Sequence, residues 1–262
     1  MTNKYEMGGV VVTGAARGIG LEIARRAAEA GYGVVIADLD DAVGERAAKG
    51  LAAEGGHAIF CKTDVTDRAQ VRAAIDACEA EFGFLHAIVN NAGFNRPQPF
   101  LETTEENWKQ IMAVNGMGVM IGIQEAAKVM IAAKRKGKII NTASMAGRSG
   151  FGDFAPYCAS KAAVISLTQA AARTLAPHGI TANAFAPGVV ETELWTVLDK
   201  DLMEMGVASA PGEALRNFAA GIPLGRTSTP ADVAGTVTFL LSPDSDYMTG
   251  QCLQIDGGMI MQ

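Results

Sequence analysis

The chain is poor in histidine, cysteine and charge. Its three histidines, His57, His86 and His178, lie far apart in 262 residues. A metal cluster or a histidine-based triad needs such residues grouped, so no metal site is expected. Each histidine reads as a helix-end or loop residue. The four cysteines, Cys61, Cys78, Cys158 and Cys252, are scattered without a CxxC. That pattern fits reduced, mostly buried thiols of a cytoplasmic protein better than a disulfide framework. Charged residues make up 19% and the net charge is −6. The nearest thing to a basic stripe is Lys134-Arg135-Lys136-Gly137-Lys138. It is short, reads as a solvated helix end, and gives no reason to expect a nucleic-acid partner. Long apolar runs are missing too. Residues 110–124 are uncharged but hold Asn115 and three glycines, and they stop at Glu125. Residues 1–7 show no basic segment followed by an apolar run. Neither a membrane span nor a secretory signal is therefore expected.

Apolar residues and glycine are what the chain does have. It is 49% hydrophobic, enough to bury a core. Glycine numbers 30, well above the usual share of about 7%, with no G-X-Y period. The excess points to tight turns and close backbone approaches. Short apolar runs at 9–13, 33–37, 57–62, 87–90, 138–141, 180–184 and 251–255 read as strands. Helix-period segments lie between them at 20–30, 41–54, 68–82, 104–134, 156–176 and 231–240. Strands alternating with helices predict one α/β domain over 1–262, a doubly wound, Rossmann-like parallel sheet with helices on both faces. Residues 188–224 fit neither period and are too long for an ordinary connection, so they read as a substrate lid.

The first strand runs into Thr13-Gly14-Ala15-Ala16-Arg17-Gly18-Ile19-Gly20, and a helix follows at once. Glycines on the first strand-to-helix turn let backbone N–H groups approach a pyrophosphate at the positive end of the helix. The spacing is Gx3GxG. The second strand ends at Asp38, 24 residues after Gly14. An acid there accepts hydrogen bonds from the adenosine ribose and repels a 2′-phosphate, which favours NAD over NADP. Arg17 in the turn pulls the other way. Tyr157 and Lys161 stand at i and i+4, on one helix face. Ser144, thirteen residues before Tyr157, follows a KIIN strand. Ligands of a doubly wound sheet sit at the carboxyl ends of its strands, where Ser144 and Asn91 both fall. There a lysine ammonium lowers a tyrosine pKa, the tyrosine exchanges a proton with an alkoxide, and a serine hydroxyl orients the carbonyl.

These residues resemble the short-chain dehydrogenases/reductases, and the resemblance covers essentially the whole chain. The turn from Thr13 to Gly20 matches the cofactor motif of that family, with Gly14, Arg17, Gly18, Ile19 and Gly20 in contact. Asn90-Asn91-Ala92-Gly93 matches its NNAG motif, and Asn115, Ser144, Tyr157 and Lys161 match its catalytic tetrad. Asp64-Val65 looks like its adenine contact. Pro187-Gly188 with Val190 and Thr192 looks like its nicotinamide segment. With Asp38 and Leu39, these residues make up the expected NAD site. The resemblance also implies that Lys161 holds the nicotinamide ribose and that Asn115 holds a relay water. It further implies that the long helices pair into a homotetramer. Residues 138–190 and 229–258 look like sugar-alcohol and acetoin-type members, implying a small secondary alcohol, vicinal diol or polyol and its ketone as substrates.

Two other readings stand beside this one. A catalytically silent dinucleotide-binding protein usually lacks the tyrosine or lysine kept here. An NADP-dependent 3-oxoacyl-thioester reductase usually carries a basic residue after the second strand, where this chain has Asp38-Leu39-Asp40-Asp41. The expected pocket walls are Phe94, residues 145–154, and Trp195, Leu198 and Met203 of the lid. Asn95, Arg96, Arg148 and Asp153 are candidates to meet a second hydroxyl. Cys158 reads as packing. Gly116, Gly118 and Gly122 suit either packing on the chain's own sheet or a subunit interface.

Overall fold

The computed structural model describes residues 6–261. The order of elements begins β1 (Gly9–Thr13), α1 (Gly18–Glu29), β2 (Gly33–Asp38), α2 (Asp41–Ala53), β3 (His57–Lys62), α3 (Arg68–Phe82) and β4 (Leu85–Asn90). It continues α4 (Glu105–Ile111), α5 (Val119–Ala132), β5 (Gly137–Thr142), α6 (Ala155–Leu175) and β6 (Ile180–Pro187). The chain then runs through α7 (Glu193–Glu204), α8 (Glu213–Ala219), α9 (Pro230–Leu241) and β7 (Cys252–Ile255). The seven strands form one parallel sheet in the order β3-β2-β1-β4-β5-β6-β7. The order reverses between β1 and β4, the switch point at which such sheets bind ligands.

Strand alternation decides which helices cover which face. Val10 and Val12 of β1 pack with Ile23, Ala24 and Ala27 of α1, Leu51 of α2 and Val233 and Val237 of α9. Val11, one residue out of phase, packs on the other face with Ile75 of α3, Val129 of α5 and Val164 of α6. Both faces of the inner strands are sealed, which is why those segments read as continuous apolar runs rather than alternating ones. Each fully buried valine or isoleucine contributes about 1.5–3 kcal/mol.

Side-chain caps mark several helix starts: Asp40 accepts from Val43 N, Asp67 from Ala69 N, Thr104 from Asn107 N and Thr229 from Asp232 N. The start of α1 has no such cap.

The structure corrects several expectations. The helix expected over 104–134 is broken by a π-helical segment, Met112–Gly118, between α4 and α5. Residues 188–224 carry two helices, α7 and α8, joined through Gly206 and Gly212 at φ +73° and +77°. His57 opens β3 and His86 lies within β4, so neither is a loop or helix-end residue. The cysteines are all free, but only Cys78 and Cys158 are buried; Cys61 and Cys252 are half-buried. A Cβ at Gly118 would press on Val65 and one at Gly122 would collide with the Asn90 side chain. Those two glycines serve packing within the subunit, not an interface.

Candidate active site

The turn after β1 is shaped for a close backbone approach. Gly14 has φ +63°, and a Cβ there would lie 2.8 Å from Ala92 Cα. Thr13 joins this turn to the segment after β4. Its hydroxyl accepts from Asn91 N at 2.9 Å and Ala92 N at 3.0 Å. The Asn91 amide in turn donates to Thr13 O at 3.0 Å and Gly14 O at 3.2 Å. The uncapped N-terminus of α1, with Gly18, Ile19 and Gly20, faces the resulting cleft. Its unpaired N–H groups and positive dipole end suit a phosphate.

The reacting groups stand on the far side of the switch point. Ser144 follows β5 and caps a short turn, its hydroxyl accepting from Ala146 N at 3.1 Å. Tyr157 and Lys161 project from one face of α6. Burial raises the phenol's pKa, and a hydrogen bond from Ser144 opposes the rise. Lys161 is 3% exposed, and burial pulls its pKa from 10.5 down to about 8. Its ammonium donates to Thr142 O at 2.8 Å and lies 5.6 Å from the centre of the Tyr157 ring. A cation so placed favours the phenolate.

Asn115 is fully buried in the π-helical segment. Its amide grips the peptide groups of Phe94 from both ends, Oδ1 accepting from Phe94 N at 3.0 Å and Nδ2 donating to Phe94 O at 2.9 Å. Nδ2 also reaches Ser160 Oγ at 3.2 Å, and Ser160 donates to Tyr157 O at 2.7 Å. Asn115 thereby links the loop after β4 to the helix that carries Tyr157. Thr142 and Ser160 are supports with no sequence signal. One acts through a backbone carbonyl, and the other through a partner distant in sequence.

Asp38 closes the second strand as expected. Its carboxylate accepts from Ala16 N at 3.0 Å and Asp40 N at 3.2 Å, bracing the glycine turn from outside the main cavity. Arg17 is engaged on two sides, by Asp40 at 2.8 Å and Glu193 at 3.1 Å. Asp64 folds onto its own turn, accepting from Thr66 N at 2.9 Å and Thr66 Oγ1 at 2.7 Å. Val65 packs on Gly118. Asp38, Leu39, Asp64, Val65, Ala92 and Asn115 do not line the main cavity, whereas the remaining expected site residues do.

The cavity holds about 400 Å³. Its apolar walls include Phe94, Met145, Phe154, Trp195, Leu198 and Phe218. Phe218 of α8 packs against Phe151, Phe154 and Trp195 with ring centres 6.0, 5.9 and 5.4 Å apart, tying α7 and α8 together at the cavity wall. Met203, expected in the wall, instead packs behind it with Phe154 and Leu202.

A family model described as enoyl-(acyl carrier protein) reductase matches residues 14–260. A crystal structure of a short-chain type dehydrogenase/reductase from Mycobacterium marinum aligns with a TM-score of 0.87 at 36% identity, covering 97% of this chain and 96% of that one. The chain is a short-chain dehydrogenase/reductase. Galactitol 2-dehydrogenase of Agrobacterium fabrum is 46% identical to it over 248 residues, 95% of each protein. L-2,3-butanediol dehydrogenase of Corynebacterium glutamicum is 43% identical over 252 residues, 95% of this chain and 97% of that protein. This short-chain dehydrogenase/reductase is thus an oxidoreductase of alcohols and ketones, in a family that works with nicotinamide dinucleotides. The residues present fit such a cofactor: an uncapped helix start, and a cradle at Gly93 where a Cβ would lie 3.1 Å from Asn115 Oδ1 and 3.6 Å from Lys161 Nζ.

Proposed function

We propose that this enzyme is an NAD-dependent dehydrogenase of small secondary alcohols, vicinal diols or polyols, and in reverse a reductase of the matching ketones or hydroxyketones. What carries this is that Ser144, Tyr157 and Lys161 line one mostly apolar cavity together with Gly14, Gly18, Ile19 and Gly20 of the glycine turn. When bound, the nicotinamide takes up or delivers the hydride at the carbon. The protein handles the oxygen. Ser144 donates to the substrate oxygen and orients it. Tyr157 takes the alcohol's proton as phenolate, or gives a proton to the alkoxide as phenol. Lys161 stabilises the phenolate and holds the nicotinamide ribose. Asn115 Oδ1 and Lys161 Nζ both face the space beside Gly93, a position suited to sharing a relay water. The names of the galactitol and butanediol relatives support a polyhydroxy substrate.

NAD is favoured because the second strand ends on the acid Asp38, which repels a 2′-phosphate, and because Arg17 is already paired with Asp40 and Glu193. We expect Asp38→Ser with Leu39→Arg to shift kcat/KM toward NADPH by about tenfold or more, since like charges across a binding surface cost several kcal/mol. Steady-state rates with both cofactors check this. A wild type that already prefers NADPH contradicts the assignment and favours the 3-oxoacyl-thioester reading. Rates with 2,3-butanediol, sorbitol, 2-butanol and an acetoacetyl thioester test the substrate class.

The reading extends to the whole chain as one domain, with residues 188–224 as a lid over the substrate. No helix among the described residues is long and apolar enough to cross a membrane. The free thiols suit a cytoplasmic enzyme. Phe100, Leu101, Trp108 and Met117 expose apolar surface around α4 and the π-helical segment. This surface supports a homotetramer. Light scattering is expected to give a mass four times that of the chain, and a stable monomer would refute this assembly.

A further inference from the structure

We propose that Asn95 is the specificity residue of this site, recognising a second oxygen on the carbon next to the one that reacts. The inference rests on the alcohol-dehydrogenase reading above and names the group that makes it selective for diols and hydroxyketones.

Asn95 lines the cavity and is 7% exposed, yet its Oδ1 is buried without a hydrogen-bond partner. No hydrogen bond within the protein claims this amide, which is uncommon for so buried a polar side chain. Several other polar side chains of the cavity are already engaged. The Asn91 amide serves Thr13 O and Gly14 O, and the Thr142 hydroxyl reaches Asn91 Oδ1 at 3.4 Å. Arg17 is paired with Glu193. Ser144, Tyr157 and Lys161 belong to the reacting oxygen, and Thr192 lies against Gly18 on the cofactor side.

The other candidates for a second hydroxyl are drawn elsewhere. Arg96 is exposed and donates to Gln110 Oε1 at 2.9 Å. Arg148 donates to Cys252 O at 3.1 Å. Neither of them, nor Asp153, lines the cavity.

Asn95 also sits on an anchored loop. It follows Phe94, whose N–H and C=O are both clamped by Asn115, and it lies two residues beyond Gly93, which abuts Lys161. An amide carries a donor and an acceptor. Its Nδ2, the end of the amide that is not closed off, can donate to a neighbouring carbonyl or hydroxyl oxygen. One residue therefore serves both the diol and the hydroxyketone, in both directions of the reaction. A mono-alcohol leaves this amide unpaired and is discriminated against.

The test compares kcat/KM for 2,3-butanediol and 2-butanol in wild type, Asn95→Leu and Asn95→Ser, with NADH binding as a check on folding. We expect the wild type to prefer the diol. The ratio of diol to mono-alcohol should fall by about tenfold or more in Asn95→Leu and by less in Asn95→Ser, which keeps a hydroxyl. A ratio within about twofold of wild type in Asn95→Leu overturns the role of Asn95 while leaving the diol reading intact. Should Asn95→Leu not fold, an undiminished ratio in Asn95→Ser overturns it equally. A wild type without any diol preference overturns the diol reading and this inference with it.

Discussion

Tyr157→Phe is expected to lower kcat by about a hundredfold or more in both directions, the usual size of a lost general acid or base. The phenylalanine keeps the ring and the face of α6, so NADH binding should persist by fluorescence titration. The expectation follows from the division of labour in the cavity. Lys161 is already held by Thr142 O, and Ser144 has no proton acceptor of its own other than the phenol. Without the phenol oxygen, the proton of the alcohol has no route off. The same geometry sets the pH response. Burial holds the free enzyme's phenol above its ordinary value, so it is protonated at neutral pH and ready to act as the acid in reduction. Oxidation needs the phenolate, so its rate should climb with pH while reduction falls. A Tyr157→Phe enzyme with near wild-type turnover would remove this residue from the chemistry.

Lys161→Met should separate activity from stability. Turnover is expected to fall by about a hundredfold or more, because the cation that favours the phenolate is gone. Stability at pH 7 is expected to rise. Burial lowers the lysine from 10.5 to about 8, so the unfolded chain binds the proton more tightly than the folded one. That mismatch costs the folded state about 3 kcal/mol below pH 8. The cost fades as pH climbs toward 10.5, where both states become neutral. Methionine removes it, and the loss of the bond to Thr142 O returns about 1 kcal/mol. The melting temperature of the variant should therefore exceed that of wild type at pH 7, and the gap should close through the alkaline range. A variant less stable than wild type at pH 7 would mean that the buried ammonium stabilises the fold.

Much of this architecture is legible in the sequence because its signals are local. The run Gly9–Thr13 and its successors are β-branched and bounded by glycine turns, which is all a buried parallel strand needs to declare itself. Tyr157 and Lys161 share a helix face by spacing alone. What escapes is set by distance or by hydrogen bonding. Arg17 looks like a free cation until Glu193, 176 residues away, comes to meet it. The turn that Asp64 makes with Thr66 through one carboxylate oxygen is likewise visible only in the fold. Helix α8 has only seven residues, and the stretch between it and α7 is rich in glycine, alanine and serine, so the periodic signal of the region is weak. Asn95 could be drawn from four candidates only once its burial and its missing partner were visible.

The π-helical segment at Met112–Gly118 sets the phase between two stretches of helix. Upstream, α4 is pinned by its Thr104 cap, and Asn107 donates to Arg96 O at 3.1 Å. Downstream, α5 is pinned by its seat under β4 and β5. Neither can rotate to absorb a change in chain length. Removing one residue between them would close the wide π turn to an ordinary α-helical one and redistribute the side chains of the segment around the helix. Asn115 would leave the Phe94 peptide, and the loop that carries Gly93 and Asn95 would lose its anchor. Substitutions at the solvent-facing positions of this segment are absorbed locally, but its residue count is a fixed dimension of the active site, like the spacing of teeth on a gear.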